Sequence, residues 1–127
     1  MFAIALYDRE KEILYLVRDR IGKKPLYYHK KDDGIVFASE LKPIMEAPGF
    51  MGTINEAVVG QYLFQLYINA PNSIFKDVYK VQPGEVLEYH FGEITTWKYW
   101  DIAAVYDEKK ISMAEFKELL ALLRKEC

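Results

Sequence analysis

The sequence predicts a mixed α+β fold built on antiparallel hairpins with about three helices. Three observations carry that expectation. Short apolar runs rich in aromatic and branched residues come in pairs, separated by charged or glycine-containing turns. Ser and Thr residues stand just ahead of segments whose apolar side chains recur at helical spacing. Hydrophobic residues make up 51% of the 127 residues, too many for a disordered chain. A chain of this length is the size of one domain and buries about two-thirds of its unfolded surface.

Residues 2–8 (FAIALYD) and 13–18 (ILYLVR) flank Arg9-Glu10-Lys11-Glu12 and read as the first hairpin. The unbroken apolar run from Phe2 to Leu6 predicts a strand covered on both faces, as in a layered sandwich. A second hairpin joins Leu26–His29 to Ile35–Ala38 through Lys30-Lys31-Asp32-Asp33-Gly34, whose Asp-Gly supplies the positive φ of a tight turn. Ser39 is placed to cap a short helix from Glu40, with Pro43 tolerated in the first turn and an end before Pro48-Gly49. Thr53-Ile54-Asn55-Glu56 has capping-box spacing, and Val58, Val59, Tyr62, Leu63 and Leu66 follow at helical period, predicting a helix over about residues 55–66. Asn69 to Gly84 reads mostly as loop, because Pro71, Pro83, Asn69, Asn72, Ser73 and Gly84 interrupt any period. Val86–Phe91 and Glu93–Trp100 form a further hairpin around Gly92. Ser112-Met113-Ala114-Glu115 then opens a helix over 112–126, with Met113, Phe116, Leu119, Leu120 and Leu123 on one face. The hairpins at 2–18 and 26–38 are expected to pair into an antiparallel sheet with the helix at 55–66 packed nearby.

Charge excludes several function classes. With 17 Lys and Arg against 19 Asp and Glu, the net charge is -2, so no basic field exists to attract nucleic acid or an anionic membrane. The apolar start is too short to span a bilayer and has no basic segment ahead of it, which predicts a soluble, cytoplasmic protein. Cys127 is the single cysteine, so no internal disulfide and no cysteine-rich zinc pattern arises.

Few residues suggest chemistry. Arg18-Asp19-Arg20-Ile21-Gly22-Lys23-Lys24-Pro25 concentrates cations around a glycine and could hold an anion, but it lacks the remaining residues of a phosphate-binding loop and reads as a structural turn. His29 and His90 have no partners at metal-ligand spacing and read as strand-packing residues. Ser39 beside Glu40 has no nucleophile elbow around it, and capping accounts for it. The aromatics, including Tyr27-Tyr28 and Trp97-Lys98-Tyr99-Trp100, could stack bases, yet without a basic groove they read as core and interface. No catalytic, cofactor-binding or metal-binding residue is assigned.

Five blocks in order resemble the glutamine amidotransferase domain of the asparagine synthetase family. They are MFAIALYD; Arg18-Asp19-Arg20-Ile21-Gly22-Lys23-Lys24-Pro25-Leu26-Tyr27-Tyr28; Phe37-Ala38-Ser39-Glu40-Leu41-Lys42; Ile74-Phe75 with Pro83-Gly84; and Lys98-Tyr99-Trp100-Asp101. The resemblance implies an N-terminal-nucleophile fold, an αββα sandwich of which this chain would supply part. It also implies a reaction in which a first-residue Cys, with its own α-amine as base, attacks the side-chain amide of glutamine. The ammonia would then reach a synthetase domain that uses ATP and magnesium to activate aspartate.

Met1-Phe2-Ala3 does not match the family's catalytic start, and the glutamine-binding loop and synthetase motif have no counterpart in this sequence. The expectation is therefore a fragment: residues 1–102 as the second half of the amidotransferase domain, and 103–127 as a helix or linker toward a missing synthetase domain. Whether the chain is an enzyme at all is left open, and alone it is expected to be inactive, with no cofactor of its own. Alternatives are a small interaction module, or half of a split amidotransferase of another acceptor class, since β-lactam and sugar amidotransferases share this layout. Expected partners are a second copy or the missing half of the parent enzyme. Uncovered sheet faces predict self-association or marginal stability.

Overall fold

The computed structural model describes residues 1–32 and 34–105. Alternating apolar runs and turn residues produce β1 (Ala3–Asp8), β2 (Ile13–Arg18), β3 (Tyr27–Lys31), β4 (Gly34–Ala38), α1 (Leu41–Met45), α2 (Glu56–Gln65), β5 (Val78–Lys80), β6 (Glu85–His90), β7 (Glu93–Lys98) and the single-turn α3 (Ile102–Val105). The helix expected over 112–126 lies outside the described residues.

Each predicted hairpin forms, but the first two enter different sheets. β1 and β2 join β6 and β7 in the order β1-β2-β6-β7, whereas β3 and β4 join β5 in the order β4-β3-β5. The expectation of one sheet is thus corrected: the Gly- and Pro-containing segment after Arg18 carries the chain from one layer to the other instead of returning it beside β2. The turns follow local chemistry. The Asp8 carboxylate accepts the Glu10 and Lys11 amides at 3.0 and 3.1 Å. Between β6 and β7, Phe91 (φ 44) and Gly92 (φ 84) both take positive φ, the turn that matches the twist of a two-residue hairpin.

The layers meet through one face of each sheet. Leu16, Leu26, Val81 and Leu87 are buried at the centre, with Ala3, Leu14, Tyr28, Ile35, Tyr89 and Ile94 packed around them. The other face of the three-stranded sheet carries Val78, almost fully buried, and α1 lies against β3 and β4 with Ile44 wholly enclosed. The order is sheet, sheet, helix, a partial sandwich of mixed α+β type. The outer face of the four-stranded sheet has no such cover among the described residues.

Four local expectations are corrected. β1 is not covered on both faces: it is an edge strand, and Ile4 and Leu6 are 46% and 59% exposed. Ser39 does not cap α1; Glu40 holds the N-cap position in an extended conformation without a side-chain bond, and the helix starts one residue later than expected, at Leu41. Thr53 does not cap α2 either. The N-cap is Asn55, and residues 53–55 are drawn into a β-bridge, with the Lys76 amide donating to the Thr53 carbonyl at 2.9 Å and the Asn55 amide to the Ile74 carbonyl at 2.8 Å. Lastly, the stretch 69–84 contains β5, which registers Lys80 on Tyr27 and Val78 on His29.

Helix α2 meets the expected bounds, but its apolar residues do not all face inward. Val58 is its buried residue, while Leu63 and Phe64 are 72% and 88% exposed.

Candidate functional site

Two chain crossings between the sheets lie side by side. One runs from β2 to β3 through residues 19–26, the other from β5 to β6 through 81–84. Arg18, at the end of β2, fastens both. Its Nε donates to the Lys24 carbonyl at 2.9 Å, Nη2 to the Gly22 carbonyl at 2.7 Å and Nη1 to the Val81 carbonyl at 2.6 Å. A planar fork with several donors is the side chain that can serve three divergent carbonyls at once. Burial lowers the Arg18 pKa, and the neighbouring Asp19 charge works against that.

Asp19 closes the other half. Its Oδ1 accepts the Gly22, Ile21 and Lys23 amides at 2.7, 3.0 and 3.4 Å, and Oδ2 accepts the Phe2 and Lys24 amides at 3.2 and 3.4 Å. Partial burial raises the carboxyl pKa, but the amide bonds from Lys24, Gly22, Ile21 and Phe2 outweigh it and hold the group at about 2. Successive amides aimed at one point form an anion-binding nest. Here the chain's own carboxylate fills it, and the run forms a structural turn.

Two glycines let the crossings touch. Gly22 (φ +70) has no room for a side chain, since a Cβ there would stand 2.7 Å from Cγ of Pro83. Gly84 (φ +68) donates its amide to the Asp19 carbonyl at 3.0 Å and accepts the Tyr99 amide at 2.8 Å, and a Cβ would collide with the Trp100 carbonyl oxygen. The Tyr99 hydroxyl donates to the Arg18 carbonyl at 2.9 Å. Glu85, buried, accepts the Gln82 amide at 2.6 Å and squares off the second crossing. Sequence reasoning missed Val81 and Glu85; an acidic residue directly after the Pro83-Gly84 pair was the available signal.

The remaining candidates fall elsewhere. His29 donates from Nδ1 to the Asp77 carbonyl at 2.8 Å and meets Phe50 edge-on at 5.9 Å, while His90 stacks on Phe91 at 4.4 Å. They are strand-packing residues, as the sequence suggested. Tyr28 packs on Tyr79 and Tyr15 meets Trp97 edge-on, so these aromatics serve core and surface packing. Among the described residues, no three of His, Cys, Asp and Glu are grouped to hold a metal.

A cavity of about 460 Å³ opens between α2 and the three-stranded sheet, lined by Tyr27, Leu41, Tyr62, Tyr67, Ser73 and Lys80 among others. Lys80 donates from Nζ to the Ile68 carbonyl and lies 5.8 Å over the Tyr27 ring. Burial lowers its pKa, with Arg18 adding to the effect. The Ser73 hydroxyl is closed into a turn, donating to the Phe75 carbonyl and accepting the Phe75 amide, each at 3.1 Å.

Residues 1–100 match the glutamine amidotransferase domain family. The chain belongs to that family. It is 33% identical, over 94% of its length, to a putative glutamine-hydrolysing asparagine synthetase 2 of Methanocaldococcus jannaschii, of which it spans 24%. It is 27% identical over 80% of its length to the glutamine-hydrolysing asparagine synthetase 3 of Bacillus subtilis, spanning 17% of that protein, and 36% identical over 66% to the Bacillus subtilis asparagine synthetase 1, spanning 13%. The chain thus covers a quarter or less of the length of these relatives. Within the amidotransferase domain, four of the five resembling blocks come together at the paired crossings: the start of β1 through Phe2, the Arg18–Lys24 turn, Pro83-Gly84, and Tyr99-Trp100. Among the described residues, no helix is long and apolar enough to cross a membrane.

Proposed function

We propose that these residues are the framework portion of the glutamine amidotransferase domain of a glutamine-hydrolysing asparagine synthetase, and that alone they do not hydrolyse glutamine. The observation that carries the reading is the internal satisfaction of the signature turn. Arg18 gives its donors to three backbone carbonyls, and Asp19 takes up the amides of residues 21–24. The Arg18 and Asp19 side chains of that charged run are taken up in holding two chain crossings together. The hydroxyl of Ser73 is likewise closed into its own turn.

On this reading the nucleophile, its base and the oxyanion donors of glutamine hydrolysis come from residues outside this sequence, either in a longer polypeptide or in a companion chain. The ATP and magnesium that amidation of aspartate consumes would bind there too. Residues 1–102 would form the amidotransferase portion and 103–127 the passage toward a synthetase domain, in a cytoplasmic enzyme. The acceptor of the ammonia would be chosen by that second domain. The names of the relatives favour aspartate over a β-lactam precursor or a sugar.

Glutamate release from glutamine by the purified chain tests the central claim. Release indistinguishable from buffer is expected. Turnover above that control, proportional to protein concentration and retained through a second purification step, would overturn it.

A further inference from the structure

Strands β1 and β7 lie at opposite ends of the order β1-β2-β6-β7 and do not pair with each other. The peptide that joins Arg18 to Asp19 nevertheless bonds to a segment beside each. Its amide, that of Asp19, donates to the Phe2 carbonyl at 3.0 Å, just ahead of β1. Its carbonyl, that of Arg18, accepts the Tyr99 hydroxyl at 2.9 Å, just past β7. A trans peptide is planar and points its N–H and C=O in opposite directions, so one rigid plate takes a bond on each side. The β2–β6 ladder ends at Val17 and Val86, and the Glu85 amide next in line donates instead to the Gln82 carbonyl at 3.2 Å. Tyr99 supplies the Arg18 carbonyl with the donor that the ladder does not.

The next peptide is held in the same way. The Asp19 carbonyl accepts the Gly84 amide at 3.0 Å, and the Gly84 carbonyl accepts the Tyr99 and Trp100 amides at 2.8 and 3.3 Å. The Asp19 carboxylate completes the circuit by accepting the Phe2 amide at 3.2 Å. Both peptides that flank Asp19 therefore connect residues 99–100 to Phe2, one directly and one through Gly84. Gly84 leaves no slack, since a Cβ there would strike the Trp100 carbonyl. Bonds that share a peptide polarise one another, so weakening the bond on one side weakens the bond on the other. None of these bonds reaches β3, β4 or β5.

We propose that Asp19 and its two flanking peptides form a coupling joint: Phe2, ahead of β1, and Tyr99-Trp100, behind β7, open and close together as one cooperative unit, separate from the β3–β4 hairpin. Folded proteins open locally in such units rather than bond by bond. Coupling between two positions is reciprocal, so loosening either segment is felt at the other. The joint itself is built wholly from described residues. Its use rests on the function proposed above, in which 103–127 lead toward a synthetase domain: movement of that passage would reach the first strand of the amidotransferase portion through Asp19, without repacking the core between the sheets.

Amide hydrogen exchange of the full isotope-labelled chain, read by NMR, tests the joint without any turnover, so its failure is distinct from failure of the functional reading. Tyr99→Phe removes one hydroxyl and keeps the ring. Loss of that bond should raise exchange at the Asp19 and Phe2 amides about fivefold or more and leave the β3–β4 ladder at wild-type rates. The Asp19 amide proton should also move upfield as its bond to Phe2 lengthens, a readout that global stability does not move. Asp19→Asn, which weakens the hold on the Phe2 amide, should in turn speed exchange at the Tyr99 and Trp100 amides. Ser73→Ala removes a hydroxyl closed into its own turn and should change none of these amides. Asp19 and Phe2 amides at wild-type rates in Tyr99→Phe, or Tyr99 and Trp100 amides unmoved by Asp19→Asn, would overturn the proposal. Exchange raised equally across the β3–β4 ladder, or the same response to Ser73→Ala, would reveal general loosening in place of a joint and overturn it as well.

Discussion

Replacing Arg18 with Met keeps the stem of the side chain and removes the guanidinium, which isolates what the fork contributes. Three carbonyls lose their donor. That of Val81 is in a buried bond, whereas those of Lys24 and Gly22 are only partly buried and can recover a water. A buried group left unsatisfied costs about 1–3 kcal/mol, and a re-wetted bond to a charged donor costs less. Arg18→Met should therefore lower unfolding stability by about 2–4 kcal/mol, a large part of the roughly 5–15 kcal/mol of an ordinary domain. Arg18→Lys should fall between, because one ammonium cannot reach three diverging carbonyls. Urea unfolding followed by tryptophan fluorescence reads both. A loss below about 1 kcal/mol for Met would refute the argument that the fork binds the crossings. Lys equal to wild type would show that charge alone matters.

Two further outcomes follow from the same node. The Asp19 carboxyl is held at about 2 against an ordinary 3.8, so its contribution is present in full above the ordinary value and is lost as pH falls through the folded one. Urea midpoints measured from about pH 5 down to about pH 2 should fall across that window, and Asp19→Asn should be weaker near neutrality and show a shallower acid decline. An unchanged decline in the variant would assign acid sensitivity to other carboxylates. Gly84→Ala should cost at least about 2 kcal/mol in the same unfolding assay, because positive φ and the Trp100 carbonyl oppose a Cβ together. Gly49→Ala, with positive φ but open space, should cost less, and equality of the two would remove the steric part of the argument.

Hairpins were legible because their signals are local. The Asp8 turn and the Phe91-Gly92 turn each depend on a handful of adjacent residues, and the period of the flanking runs is visible directly. Sheet membership was not legible, since the choice between returning beside β2 and crossing to a second layer is settled by Arg18 reaching Val81, 63 residues away. The expected cap at Thr53 failed for a related reason. Thr53 had the right spacing, but residues 53–55 bridge to 74–76, so tertiary pairing took the backbone that capping needed. β5 escaped notice because three residues among Pro and Asn give no measurable period. In the candidate site, Gly22 and Pro25 among the cations are enough to mark a turn from composition. Only the geometry explains why: an acidic residue within the run occupies the nest that the glycine creates.

That occupation also bears on why the family resemblance was so easily seen in a segment with no assigned chemistry. An apolar turn could be rebuilt from many residues of similar volume, because packing tolerates volume-conserving exchange. The Arg18–Asp19 turn has no such freedom. Arg18 must reach Gly22, Lys24 and Val81, Asp19 must gather amides from Phe2 and from its own turn, and Gly22 and Gly84 must omit Cβ for the crossings to approach. Changing any one leaves buried polar groups of the others unpaired, which costs more than the bond itself was worth. A motif of charged residues can thus be tightly specified by framework geometry alone. Its position at one end of the sandwich ties each sheet to the other where the chain changes layers.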